Sequence, residues 1–181
     1  WAGEVVFVDE RCIDCDTDAG TVWEVVESIG GENGWYSFPL AWTIRGWLDR
    51  FAGGVGLSRG RRNPRTLHTG DALDFWRVER LERPTLLRLR AEMRAPGGAW
   101  LEWRIEPLDP GRARLHQRAI FFPKGLAGRV YWYALVPFHG IIFKGMLENI
   151  AGAAHRAARD PARTPSPADP MSHPVDSIDA M

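Results

Sequence analysis

Few residues in this 181-residue chain have the types and spacing that chemistry requires. Cys12 and Cys15 form a C-x-x-C, but no second pair and no histidine at a matching spacing accompany them, so zinc is not supported. Three residues apart on an extended segment, they point to opposite faces, which argues for two reduced thiols rather than a mutual disulfide. Gly56-Leu57-Ser58-Arg59-Gly60 has the G-x-S-x-G pattern of a hydrolase nucleophile turn. It follows a helix-stopping glycine pair instead of a strand, and it leads into a basic loop, so the match reads as coincidence. The same glycines lack the G-K-[ST] ending of a phosphate loop. Arg59, Arg61, Arg62 and Arg65 make one dense basic cluster, read as a solvated loop, with a docking or phosphate-contacting surface as the alternative. Glu92 and Glu102 fall among arginines as members of a charge ladder, not as an acid–base pair. His68, His116, His139, His155 and His173 form no metal-ligand pattern. What remains is three polar groups at positions where apolar side chains are expected: Asp74, Gln117 and His139. Either they hydrogen-bond neighbours within a core, or they are the sparse polar handles of an apolar cavity.

Composition narrows the classes. With 23 basic and 23 acidic side chains, the chain has no overall pull toward nucleic acid or an acidic membrane. Nine tryptophans are unusual; a buried indole needs a partner for its N–H, and tryptophan is favoured at pocket walls and interfaces. The apolar run from Tyr131 to Phe143 is too short to span a bilayer and is interrupted by Pro137, His139 and Gly140. No signal peptide opens the chain, so a cytoplasmic location is expected. Without an initiator methionine, the chain is expected to be a piece of something longer.

The elements that must position these residues follow from periodicity. Residues 4–16 read as an extended segment with a bend near Glu10-Arg11. Thr17 or Asp18 then caps a helix carrying Val22, Val25, Val26 and Ile29, which Gly30-Gly31 stops. A second short helix is expected from Pro39, with Leu40, Ile44, Trp47, Leu48 and Phe51 on one stripe, ending at Gly53-Gly54. From Asp71 the period changes to two. Strands are expected at 71–82, 85–95, 99–108 and 112–123, with short connections that favour an antiparallel meander. A last helix, from about Leu126 to Ala158, could reach about 45 Å and is expected to bend at Pro137 and Gly140. Residues 1–159 thus form one domain, and 160–181 a disordered, proline-rich tail.

Strand parity sorts the sheet. One face collects Asp74, Trp76, Val78, Leu87, Leu89, Ala91, Met93, Leu101, Trp103, Ile105, Leu115, Gln117, Ala119 and Phe121, and must be covered. The other collects Phe75, Arg77, Glu79, Arg88, Arg90, Glu92, Trp100, Glu102, Arg104, Arg114, His116 and Arg118, and reads as solvated. The final helix carries two apolar stripes, Tyr131, Leu135, Phe138, Ile142, Met146, Ile150 and Trp132, Val136, His139, Phe143, Leu147. It is therefore expected to be buried on nearly all sides, gripped by the sheet.

Residues 11–31, with Thr17-Asp18-Ala19 and Val22-Trp23-Glu24-Val25-Val26, resemble the opening of the helix-grip superfamily of START lipid-transfer domains, the birch-pollen allergen and polyketide cyclases. Gly70–Val78, Leu87–Met93 and Gly125–Tyr133 with Pro137-Phe138-His139 resemble, more narrowly, a bacterial family of unknown function commonly fused behind an NAD(P)-binding short-chain-dehydrogenase-like domain. The resemblance covers about residues 4–155 and implies an α+β helix-grip fold with a cavity, but no transferable catalytic residues. No cofactor is expected in this fragment, NAD(P) being possible only in an upstream Rossmann domain.

Three functions are open at this point. A ligand-binding module would take a small hydrophobic molecule between helix and sheet, with Trp76, Met93, Trp103 and Phe121 as walls and Gln117 and His139 orienting its polar end. An enzyme of the cyclase or hydratase kind would fold a polyketide-like substrate while His139 or Asp74 moves a proton. An interaction domain would pack on the upstream oxidoreductase domain.

Overall fold

The computed structural model describes residues 5–30, 34–36, 61–63, 66–93 and 95–160. β1 (Phe7–Cys15) leads into α1 (Ala19–Glu27). Then come β2 (Ala72–Leu73), β3 (Trp76–Glu82), β4 (Leu86–Ala91), β5 (Gly97–Pro107), β6 (Ala113–Pro123) and the 35-residue helix α2 (Gly125–Arg159). The strands form one antiparallel sheet in the order β1-β6-β5-β4-β3-β2. α2 and α1 pack on one face of it, which gives the expected α+β architecture of a curved sheet gripping a long helix. The second short helix expected from Pro39, the G-x-S-x-G segment and the tail from 161 lie outside the described residues.

Local signals explain these boundaries. Asp18 caps α1 by accepting the Thr21 backbone N–H at 3.0 Å. Gly30, at φ +89°, turns the chain away after Ile29. α2 begins close to the sheet because Gly128 has no side chain: a Cβ there would stand 2.4 Å from the Pro96 carbonyl oxygen and 2.8 Å from Pro123. Cys12 is exposed and Cys15 buried, and both are free, as opposite faces require. Burial, reinforced by the charges of Asp14 and Asp16, pushes the Cys15 thiol up to about 11, so it stays protonated and inert.

Several expectations are corrected. β1 pairs with β6 without interruption from Phe7 to Cys15, so there is no bend at Glu10-Arg11. The strand expected over 71–82 is broken at Asp74-Phe75, where Asp74 adopts φ +52° in a turn between β2 and β3. That turn removes both residues from strand parity. Phe75, expected outside, is buried in the core and stacks on Trp35 with centroids 6.1 Å apart. Glu102, also expected in solvent, is 0% exposed, because Arg88 and Arg118 from the two flanking strands close over it. α2 is not buried all round: Leu126 (76%), Val130, Tyr133, Val136 and Ile141 (74%) are exposed along one side.

Candidate ligand-binding site

Register turns the concave face into rows of neighbouring side chains, because residues directly opposite on paired strands share a face. One row runs Leu87, Trp103, Gln117, Arg11, and the next Leu89, Leu101, Ala119, Asp9. In a third, Trp76 pairs with Ala91, and Ala99 pairs with Phe121, which in turn pairs with Phe7.

The first row is closed. Trp103 is 0% exposed, and its indole N–H donates to Gln117 Oε1 at 3.0 Å. The Gln117 amide then donates to the Phe143 carbonyl of α2, also at 3.0 Å. Gln117 therefore ties strand to helix, and its polar atoms are engaged by protein. Asp74 is similarly engaged: in its turn, it accepts the Trp35 indole N–H at 2.7 Å. Both arrangements fit a satisfied interior.

The third row is open. Among the described strand residues, Ala91 and Ala99 alone stand between Trp76 and Phe121, with Met93 nearby and Ala119 in the adjoining row. Ala91, Met93 and Ala99 keep partial solvent access although they lie on the inward face. α2 covers only the far end of this row, where Trp132 stacks on Phe7 (5.3 Å) and Phe121 (5.8 Å). Trp76 is 6% exposed, and its indole nitrogen is buried without a hydrogen-bond partner among the described residues. Leaving such a donor unpaired costs about 1–3 kcal/mol. Trp23 and Trp100 contrast with it, donating to Glu27 (2.6 Å) and to Glu79 (3.0 Å).

His139 lies on the α2 stripe between two anchor points. Its ring centroid is 4.8 Å from those of both Trp132, which sits over Phe7 and Phe121, and Phe143, whose carbonyl holds Gln117. Along β1 the interval between those anchors contains Asp9 and Arg11, which face inward and form a bidentate pair, with Arg11 donating to both Asp9 oxygens at 2.8 and 3.0 Å. Sequence reasoning missed this pair. Strand parity assigns no face to β1, and its apolar Val8, with Val6 before it and Phe122 of β6, is exposed on the convex side.

That convex side carries a second concavity, of about 510 Å³, lined by Val6, Val8, Trp100, Ile120 and Phe122 beside Arg88, Arg118 and Glu79. Beneath it runs the ladder Glu10–Arg118–Glu102–Arg88, with Arg88 Nε donating to Glu102 Oε2 at 2.7 Å. Of the basic cluster expected as a solvated loop, Arg59 and Arg65 lie outside the described residues, and Arg61 has a structural role. Arg61 donates to the Glu27 and Ile29 carbonyls (2.6 and 2.8 Å), satisfying the end of α1, while Arg62 stays exposed. Among the described residues no group of His, Cys, Asp and Glu could hold a metal, and no helix is long and apolar enough to cross a membrane.

The architecture recurs in solved structures at low identity. The Zhui aromatase/cyclase from Streptomyces sp. R1128 superposes with a TM-score of 0.50 at 17% identity, over 87% of this chain and 98% of that one. A norcoclaurine synthase from Thalictrum flavum, a point mutant bound to a transition-state analogue, gives 0.51 at 10% identity, over 87% and 99%. The di-domain aromatase/cyclase StfQ of steffimycin biosynthesis gives 0.52 at 11%, over 86% of this chain and 53% of that one. No curated protein matches the sequence. The DUF2867 family, described as proteins of unknown function, matches residues 1–146. With that match spanning most of its length and its sheet closed on a long helix, the chain belongs to DUF2867 and has the helix-grip fold.

Proposed function

We propose that this domain binds a small hydrophobic molecule on the concave face, in the gap between Trp76 and Phe121. The observation that carries this reading is the pair of alanines, Ala91 and Ala99, on a face otherwise built of leucine and aromatic side chains. Small residues there leave volume, and their solvent access gives a route in. Trp76, Met93 and Phe121 form the walls, and His139 with the Asp9–Arg11 pair supplies polarity at the β1 side. Trp103 and Gln117 close the other end. Titration with 8-anilinonaphthalene-1-sulfonate, followed by its fluorescence, should show one saturable site. Ala91→Phe should abolish it, and Ile141→Ser, on the exposed side of α2, should not. Saturable binding that survives Ala91→Phe and disappears with Ile141→Ser would place the ligand on the helix surface and end the reading.

A cyclase-like activity on a polyketide-like substrate is a second reading, favoured by the Asp9–Arg11 pair of β1, which faces inward toward the helix that carries His139. It requires turnover that Asp9→Asn removes while probe binding persists. Docking on an upstream NAD(P)-binding domain would use the convex concavity at Trp100 and Phe122.

A further inference from the structure

We propose that the ligand carries a hydrogen-bond-accepting carbonyl, as an aromatic ketone or quinone does, and that Trp76 is the group that reads it. This inference rests on the binding reading above. Four other tryptophans each have a side-chain acceptor supplied by the fold. For Trp23 it is Glu27 one helical turn on, for Trp35 it is Asp74 in the β2–β3 turn, for Trp100 Glu79 across the sheet, and for Trp103 Gln117 on the next strand. Trp76 has none among the described residues, although its nitrogen is as thoroughly removed from water as that of Trp103. Its row partner is Ala91, and the rings of Phe75 and Trp35 flank it at 5.6 and 6.1 Å.

An indole N–H donates and cannot accept, so the missing partner must be an acceptor. The surroundings narrow it further. Phe75, Val78 and Ala91 present only carbon, and the Trp35 N–H is already committed to Asp74. A ligand hydroxyl or amine would bring its own donor into a place with few acceptors to receive it. A carbonyl brings none. Its oxygen would accept from Trp76 while the ring system fills the space over Ala91 and Ala99. Pockets that fix one polar group by a single buried donor discriminate strongly against analogues lacking that group.

The test uses 1-acetonaphthone and 1-ethylnaphthalene, near-isosteres that differ by a carbonyl in place of a methylene, titrated calorimetrically into the full chain. The ketone should bind about tenfold more tightly than the hydrocarbon. Trp76→Phe, which keeps the ring and removes the N–H, should bring that ratio close to one. Equal affinities in the unmodified protein, or a ketone preference that survives Trp76→Phe, would overturn the assignment while leaving hydrophobic binding intact. Failure of both compounds to bind would overturn the binding reading itself.

Discussion

Trp103 and Trp76 are the same residue type on the same concave face, both nearly inaccessible to solvent, yet their surroundings follow opposite rules. Trp103 stands among leucines, its N–H held by Gln117, which in turn holds α2. Trp76 faces alanines and has no acceptor among the described residues. The first arrangement is what a core needs: each buried polar group matched, so that packing and hydrogen bonding stabilise one geometry. The second lowers stability when nothing is bound, and such unmatched groups concentrate where a protein meets something else. The contrast separates the part of the molecule that maintains the fold from the part that the proposed ligand would occupy.

This division can be broken by substitution. The largest effect should come from Glu27, the most heavily bonded group at the closed end. Its carboxylate accepts from Trp23, from the Leu67 N–H and from Arg83. Glu27→Ala orphans these donors and should cost about 3 kcal/mol in urea denaturation. Burial pushes the Glu27 carboxyl up, but Arg83, Leu67 and Trp23 outweigh it and hold it below the ordinary carboxylate range. With the folded value depressed, the contribution is present above the unfolded value, about pH 4.3. It should disappear as pH falls through the folded value, so the acid limb of a stability profile should flatten in Glu27→Gln. Next in size, Gln117→Leu strands the Trp103 N–H and should cost about 1–3 kcal/mol by the same measurement. Trp76→Phe removes no hydrogen bond and should change stability by less than about 1.5 kcal/mol. A loss at Trp76 as large as at Gln117 would erase the contrast.

Much of the fold was legible because its signals are local. Pro96-Gly97-Gly98 and Asp109-Pro110-Gly111 punctuate a clean period of two, and Asp18 and Gly30 bracket α1. The break at Asp74-Phe75 was hidden because the alternation of apolar and charged residues continues across it. Only the left-handed conformation of Asp74, which an aspartate tolerates, distinguishes turn from strand. The burial of Glu102 depends on arginines from two other strands, information that no window of sequence holds. The candidate site was legible in part. Its aromatic walls fell out of parity, but β1 defeats the rule that the apolar set faces inward, since Asp9 and Arg11 face the helix and Val8 faces away. What singles out Trp76 is a missing partner, which a sequence cannot display.

The glycine in the first turn of α2 bears on how a guest would come and go. Because the backbone at Gly128 rests directly against Pro96 and Pro123, the helix start cannot swing outward as a door without first parting from the sheet. At its far end Ile150, Ala153 and Ala154 are sunk in the core shared with α1. A beam seated at both ends has little freedom to lift, so among the described residues it is rotation of individual side chains, Met93 foremost, that would govern a guest's passage over Ala91 and Ala99.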